Sequence, residues 1–192
     1  MNRREFLKLF GVGVGVFSLF DMFPRIMKGK GLVRPPGSLT EDEFNAVCIR
    51  CGRCAQICPT GAIVLADLSD GFRELGTPKI DPVRGSCERI QGRCERHAKC
   101  AQICPTGTIR EVDRINLKLG SAIINMDRCI GWLGGSCLVC YEVCPVQDAI
   151  SLTDEARPIF NENVCVGCGR CVYACPAQPK ALILTFKGEK RL

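Results

Sequence analysis

Cys48-Ile-Arg-Cys51-Gly-Arg-Cys54-Ala-Gln-Ile-Cys58-Pro59 is the stretch that decides the fold, and Cys165-Val-Gly-Cys168-Gly-Arg-Cys171-Val-Tyr-Ala-Cys175-Pro176 repeats its pattern near the other end. Both read Cys-x2-Cys-x2-Cys-x3-Cys-Pro. Three cysteines at such steps sit on one tight loop that wraps a metal cube. The fourth, expected to start a helical turn, points away and reaches a different cube. The proline closes the run, because it lacks an N–H and restricts the residue before it. Two further groups, Cys87, Cys94, Cys100, Cys104 and Cys129, Cys137, Cys140, Cys144, also end in Cys-x3-Cys-Pro. All 16 cysteines of the chain fall in these four groups. That is the iron-ligand count for four [4Fe–4S] clusters. Zinc sites usually pair two separated Cys-x2-Cys units, and a disulfide scaffold would not repeat this punctuation, so both are weaker readings.

The middle groups are stretched. Residues 88–93 separate Cys87 from Cys94, residues 95–99 separate Cys94 from Cys100, and residues 130–136 separate Cys129 from Cys137. The insertion in group three carries Gly131, Gly134 and Gly135, which can accept positive φ. The insertion in group two is charged (Glu88, Arg89, Arg93, Glu95, Arg96, His97, Lys99) and predicts a bulge that faces solvent or a partner. Group two is the least regular, and three clusters with zinc or nothing at this group is the competing count. Short apolar runs follow the groups at Ala62–Leu65, Thr108–Ile109, Ala149–Leu152 and Ala181–Leu184, and read as brief strands after the turns at Thr60-Gly61 and Thr106-Gly107.

The pattern from Asn45 to Leu184 reads as four repeats of ligand loop, short helix, strand, turn and strand. The fold class is α+β: two ferredoxin-like 2[4Fe–4S] modules with small cores organised by the clusters. Aromatic residues are only 6% of the chain, so metal cubes must supply much of what a hydrophobic core would. Thr40 with Glu41, Asp42 and Glu43 predicts a capped helix start. Arg34-Pro35-Pro36-Gly37-Ser38 reads as a linker, and residues 187–192 as a polar tail. The domain division is 1–34 as address or tether and 35–192 as the cluster-bearing body, with motifs at 48–58, 87–104, 129–144 and 165–175.

Asn2-Arg3-Arg4-Glu5-Phe6-Leu7-Lys8 precedes an apolar run from Leu9 to Phe20. Paired arginines, Phe-Leu-Lys and a short apolar segment look like a twin-arginine export signal. The run is shorter than the roughly 20 residues of a membrane span. Cubes are built in the cytoplasm, so a loaded protein must cross folded, and this is the route for folded cargo. No Ala-x-Ala site follows the run, so the segment is expected to stay attached as a tether. The predicted location is the periplasm or the outer face of the cytoplasmic membrane. Net charge is +6, but residues 1–34 carry +5 of it. Four oxidised cubes with their thiolates would add about −8, leaving the loaded body about −7. The basic pI therefore does not indicate nucleic-acid binding.

His97 is the only histidine and lies among charges. There is no Cys-x2-Cys-His haem site, no radical-type Cys-x3-Cys-x2-Cys run, no phosphate-cradling loop and no dinucleotide fingerprint after a strand. With no nucleophile–base or paired-carboxylate constellation, no catalytic residues are assigned, and the expected role is electron carriage rather than catalysis.

The Arg-Arg-x-Phe-Leu-Lys start, four cubane motifs, the third motif Cys129-Ile-Gly-Trp-Leu-Gly-Gly-Ser-Cys137-Leu-Val-Cys140-Tyr-Glu-Val-Cys144-Pro145, and Gly76-Thr77-Pro78 together resemble the NapG/MauM-type ferredoxins. The resemblance covers essentially the whole chain. Cys87-x6-Cys94 departs from the Cys-x2-Cys that usually opens the family's second motif. The resemblance implies a periplasm-side electron carrier beside a membrane-bound iron–sulfur, quinol-oxidising partner of the NapH/MauN type, serving a periplasmic redox enzyme and delivered by the twin-arginine translocase. The alternatives are a fixed iron–sulfur subunit of an exported molybdoenzyme or hydrogenase complex, and a maturation factor. Two cluster pairings stay open: sequential, joining motif one with two and three with four, or nested, joining one with four and two with three.

Overall fold

The computed structural model describes residues 31–192, so the arginine pair and the apolar run lie outside the described residues. In chain order the elements are α1 (Glu41–Val47), α2 (Arg53–Ile57), β1 (Ile63–Leu65), β2 (Pro78–Ile80), α3 (Lys99–Gln102), β3 (Ser121–Ile124), α4 (Val139–Glu142), β4 (Ile150–Leu152), β5 (Pro158–Phe160), α5 (Arg170–Ala174) and β6 (Leu182–Thr185). Two 3-10 turns, Arg114–Asn116 and Met126–Arg128, complete the list. The class is mixed α and β, with small helices and two-stranded sheets.

The strands do not follow four identical repeats. Motifs one and three are each followed by an antiparallel hairpin, β1–β2 with Ile63 opposite Ile80 and β4–β5 with Ile150 opposite Phe160. Pro78 and Pro158 open the second strand of each, where a missing N–H is tolerated. After motifs two and four the chain instead returns to a segment that precedes the pair. Ile109 forms only an isolated bridge, with Ser38, and β6 pairs antiparallel with β3, Ile183 opposite Ile123. Thr108–Ile109 is therefore not a strand of its own, because its one partner residue lies in an otherwise irregular segment.

The four helices α2 to α5 are one turn or little more, and each carries the third cysteine of its motif in its interior. The fourth cysteine closes the helix region rather than starting it: Cys58 and Cys175 are the C-caps of α2 and α5. In the two regular motifs the residue before the helix is left-handed, Gly52 at φ 72° and Gly169 at φ 77°. A side chain would be strained there, which accounts for glycine between the second and third cysteines. The stretched motifs enter their helices through Ala98 and Leu138 with negative φ, since the longer loops need no such reversal.

Three expectations about the ends are corrected. Arg34–Ser38 is no linker: Arg34 and Ser38 are buried, and Val33 carbonyl accepts from Ile80 N–H at 2.7 Å. The segment is held because Arg34 has no other way to satisfy a buried guanidinium. It donates to Thr77 Oγ1 at 2.7 Å and to the Pro78 carbonyl at 2.8 Å, pairs with Glu41, and stacks over the Phe44 ring with its centre 4.5 Å from the centroid. The Gly76-Thr77-Pro78 tripeptide is thus where Arg34 docks. The last residues are no free tail either. Leu192 N–H donates to the Ser38 carbonyl at 3.2 Å, and Arg191 reaches Leu39 and Leu32 carbonyls and Glu41. Helix α1 forms with its three acids in the first turn, but Thr40 does not cap the backbone; its hydroxyl donates to Glu43 at 2.6 Å.

Apolar burial gathers on the cysteines. One cluster joins Leu39, Phe44, Ile63 and Ile109 to Cys54 and Cys100. Another joins Ile150, Val172 and Leu182 to Cys129, Cys140, Cys171 and Cys175. A third, Val33, Ala62, Ile80, Leu117 and Leu119, is touched by Cys58, Cys87 and Leu184. Because Arg34 ties the first of these to the β1–β2 hairpin, Arg34→Ala is expected to cost about 3 kcal/mol, in the range for breaking one side of a buried ion pair. The check is the denaturant midpoint at which the loaded protein loses its visible absorbance. An unchanged midpoint would show that Arg34 does not clasp the amino-terminal segment.

Candidate metal centres

The cysteines line four cavities of about 330 to 400 Å³, counting the space open at their mouths. The first is lined by Cys48, Cys51, Cys54 and Cys104, and the second by Cys58, Cys87, Cys94 and Cys100. The third is lined by Cys129, Cys137, Cys140 and Cys175, and the fourth by Cys144, Cys165, Cys168 and Cys171. Each cavity therefore takes three cysteines from one motif and the fourth from its neighbour. The exchange is sequential, one with two and three with four. Nesting is excluded by the sets themselves, since no cavity mixes motifs one and four or two and three.

The donor sets fit a cubane group. Four thiols and an apolar wall surround each cavity, the ligand count of a [4Fe–4S] cluster. Among the described residues no group of three or more His, Cys, Asp or Glu is placed to hold a single metal ion. Motif two, the irregular one, builds its cavity like the others. His97 is exposed and lines none of the four cavities.

How the stretched motifs reach this result is visible in a few side chains, one of which, Arg89, belongs to the charged insertion expected to face solvent or a partner. Arg89 is buried in the bulge of motif two. It donates to the Glu95 carbonyl at 2.7 Å, to Glu111 at 2.8 Å and to the Val112 carbonyl at 2.6 Å. Glu111 in turn accepts from the Ala98 backbone N–H, fixing the residue that precedes α3. Glu88 and Arg93 pair with each other at 2.9 Å. Of the insertion's charged residues Arg89 is buried and Glu88 and Lys99 are half-buried, whereas Arg93, Glu95, Arg96 and His97 face solvent as the sequence led one to expect. The bulge of motif three is a compact turn in which Gly135 N–H donates to the Ile130 carbonyl at 2.8 Å. Trp132 pins it by donating from its indole N–H to the Pro158 carbonyl of β5 at 3.1 Å, with Arg157 over its ring. A single Glu thirteen residues after the Ala98 it serves gives no sequence signal of that role, whereas a lone tryptophan inside a ligand loop does.

Burial dominates the thiols' electrostatics. It pushes Cys87 up to about 12 and Cys54, Cys140 and Cys168 up to about 11, with Cys100 and Cys171 raised further. Neighbouring sulfurs add to the effect, as Cys54 does at Cys100 and Cys140 at Cys171. Loading such a site with a cation must expel protons, so acid opposes it. Cys58 and Cys104 depart from this pattern. Burial raises both, but hydrogen bonds outweigh it and hold them below the ordinary thiol range. At Cys104 these come from the backbone N–H groups of Ile109, Thr106 and Thr108 and from the Thr106 hydroxyl, 3.7 Å away, itself bonded to Thr108 Oγ1. At Cys58 the Thr60 hydroxyl lies 3.5 Å away but donates its one proton to the Ser86 carbonyl at 2.8 Å, which leaves the backbone N–H groups to act. The equivalent Cys144 lacks this environment: its Sγ lies 3.5 Å from the Val146 carbonyl and burial carries it upward.

A chain whose cysteines make four such cavities between short helices and strands is a ferredoxin-type 4Fe–4S protein. The model of the 4Fe–4S dicluster domain matches residues 47–108, which hold motifs one and two together, and that of a 4Fe–4S binding domain matches residues 156–177. The methylamine utilization ferredoxin-type protein MauM of Paracoccus denitrificans is 38% identical over 153 residues, covering 74% of this chain and 66% of that protein. The ferredoxin-type protein NapG of Escherichia coli is 34% identical over 163 residues, covering 78% of this chain and 68% of that protein. MauM of Methylophilus methylotrophus is 32% identical over 201 residues, covering 95% and 85%. The chain belongs to the MauM/NapG family of ferredoxin-type proteins.

Two measurements follow from the exchanged cysteines. Cys58→Ser is expected to damage the site of Cys87, Cys94 and Cys100 rather than that of its own motif. Cys58→Ser combined with Cys87→Ser should then lose no more iron than either alone, whereas with Cys48→Ser the losses add; the reverse pattern would overturn the sequential sets. Thr106→Val removes a hydroxyl from Cys104 and should leave iron content unchanged while moving one midpoint potential negative, because hydrogen bonds to ligand sulfur favour the reduced state. Potentiometric titration followed by EPR reads this, and an unmoved set of midpoints would deny Thr106 any tuning role.

Proposed function

We propose that the chain carries four [4Fe–4S] clusters, held by the sixteen cysteines in the four sets above, and relays electrons between a membrane-bound quinol-linked partner and a periplasmic redox enzyme. The observation that carries this reading is that every cysteine is consumed in building the four cavities. None is left as a nucleophile or for a substrate site. A bound cluster supplies reversible one-electron chemistry. The chain's own part is to place the thiols, keep water from their buried sides and set the local charge. The sequential sets support an organisation as two dicluster ferredoxin modules, in line with the dicluster match over residues 47–108.

The relatives' names place them in methylamine utilization and among ferredoxin-type proteins, and the partner types are carried over from that family. Export by the twin-arginine route rests on Arg3 and Arg4 and the apolar run behind them. Among the described residues no helix is long and apolar enough to cross a membrane.

Anaerobically purified protein is expected to hold about 16 iron and about 16 acid-labile sulfide per chain, four of each per cluster; about 12 would remove one site. In cells lacking the protein, a periplasmic reductase supplied fully assembled should still receive no electrons from quinol. Restored flux would make the protein a maturation factor. Replacing both Arg3 and Arg4 by Lys should leave the loaded protein in the cytoplasm, and unchanged export would sink the twin-arginine reading.

A further inference from the structure

The four sites are not equally connected. Within the first pair, Cys54 on α2 and Cys100 on α3 lie in one buried cluster, and Cys58 and Cys104 are exchanged across it. Within the second pair, Cys140 on α4 and Cys171 on α5 do the same, with Cys144 and Cys175 exchanged. Between the pairs one junction brings ligand loops together. The Cys87 backbone N–H donates to the Cys168 carbonyl at 2.8 Å. Beside it Arg170 crosses to the bulge of motif two, donating to Gln91 Oε1 at 3.2 Å and to the Gln91 carbonyl at 2.9 Å. Gly169 meets Pro82 so closely that an added Cβ would lie 2.9 Å from the proline Cβ. Among the described residues no backbone hydrogen bond joins Cys48, Cys51 or Cys54 to the second pair, or Cys129, Cys137 or Cys140 to the first.

We infer that the sites stand in the line first, second, fourth, third, that Cys87 and Cys168 form the crossing between the pairs, and that Arg170 is the positioning residue of that crossing. This deepens the relay reading and rests on it. At the crossing one electron leaves the second or fourth site and enters the other; the donor is oxidised by one, the acceptor reduced by one, and no bond or proton moves. The stretched second motif gains a purpose in this arrangement. A plain Cys-x2-Cys has no Gln91 to reach Arg170, so the insertion adds a side-chain clasp beside the Cys87–Cys168 contact. Arg170 precedes the ligand Cys171 in α5, so its charge also lies beside the fourth site. The ends of the line are then the first and third sites, and Cys51 of the first is the one exposed cysteine of the sixteen.

The test uses the full-length loaded protein. Arg170→Gln, which removes the charge and keeps most of the volume, should hold its iron and shift one midpoint negative, because reduction adds negative charge that the guanidinium no longer offsets. Arg170→Lys should return that midpoint toward the parent value. Midpoints unmoved in Arg170→Gln would overturn the role of Arg170. For the order, Cys51→Ala combined with Cys137→Ala removes a ligand from each end site. The two remaining reduced sites should give a broadened, spin-coupled EPR signal, and two sharp independent signals would overturn the line. Should that double variant fail to fold, Gln91→Ala in the otherwise intact chain decides: weakened coupling in the fully reduced protein supports the crossing, and an unaltered spectrum refutes it. A parent protein with iron well short of about 16 would instead overturn the four-site reading from which this one is built.

Discussion

Every site borrows its fourth thiol from the neighbouring motif, and the rest of the structure follows from that exchange. A cysteine that caps one helix must reach the cavity beside the next, so the helices of each pair have to pack side by side. This sets α2 on α3 and α4 on α5, with Cys54 against Cys100 and Cys140 against Cys171 at the centre of the apolar clusters. The strands are then short because they only close what the helices and thiols have already placed. A chain with 6% aromatic residues can fold this way because its cross-links come from cofactor bonds rather than from large side chains.

The two halves use the same plan with different finishing. In the first, Thr106, Thr108 and a set of backbone N–H groups surround Cys104, and a similar backbone nest surrounds Cys58. In the second, Val146 and Ala177 stand where Thr60 and Thr106 stand in the first, and Cys144 feels mainly burial. Hydrogen bonding to ligand sulfur and local charge are the levers by which a protein sets cluster potential. The asymmetry therefore gives the halves different electrostatic surroundings although their ligands are identical.

Much of this was legible in the sequence. The two Cys-x2-Cys-x2-Cys-x3-Cys-Pro runs give the loops and the strands behind them, whereas the left-handed Gly52 and Gly169 that turn those loops show only in the fold. The sequence left the pairing undecided, because the choice between sequential and nested exchange depends on which helices pack together, and one-turn helices carry too little pattern to say. It also misplaced Arg34, Arg89 and Arg191. Charge in a proline-rich stretch, a charged insertion or a polar tail reads as solvent-exposed, and only the fold reveals that carbonyls of distant segments, such as Pro78, Val112 and Leu32, converge on these guanidinium groups. Gln91 and Arg170 are 79 positions apart, and nothing local in either marks them as partners.

The docking of Leu192 and Arg191 against Leu32, Ser38 and Leu39 brings the two ends of the described chain together. These contacts join positions 152 and 159 apart, among the widest separations that the fold closes. Loop closure over such a span is entropically the most demanding, so the face around Leu32, Ser38 and Leu39 is covered only once the metal-binding segments between have drawn the chain in.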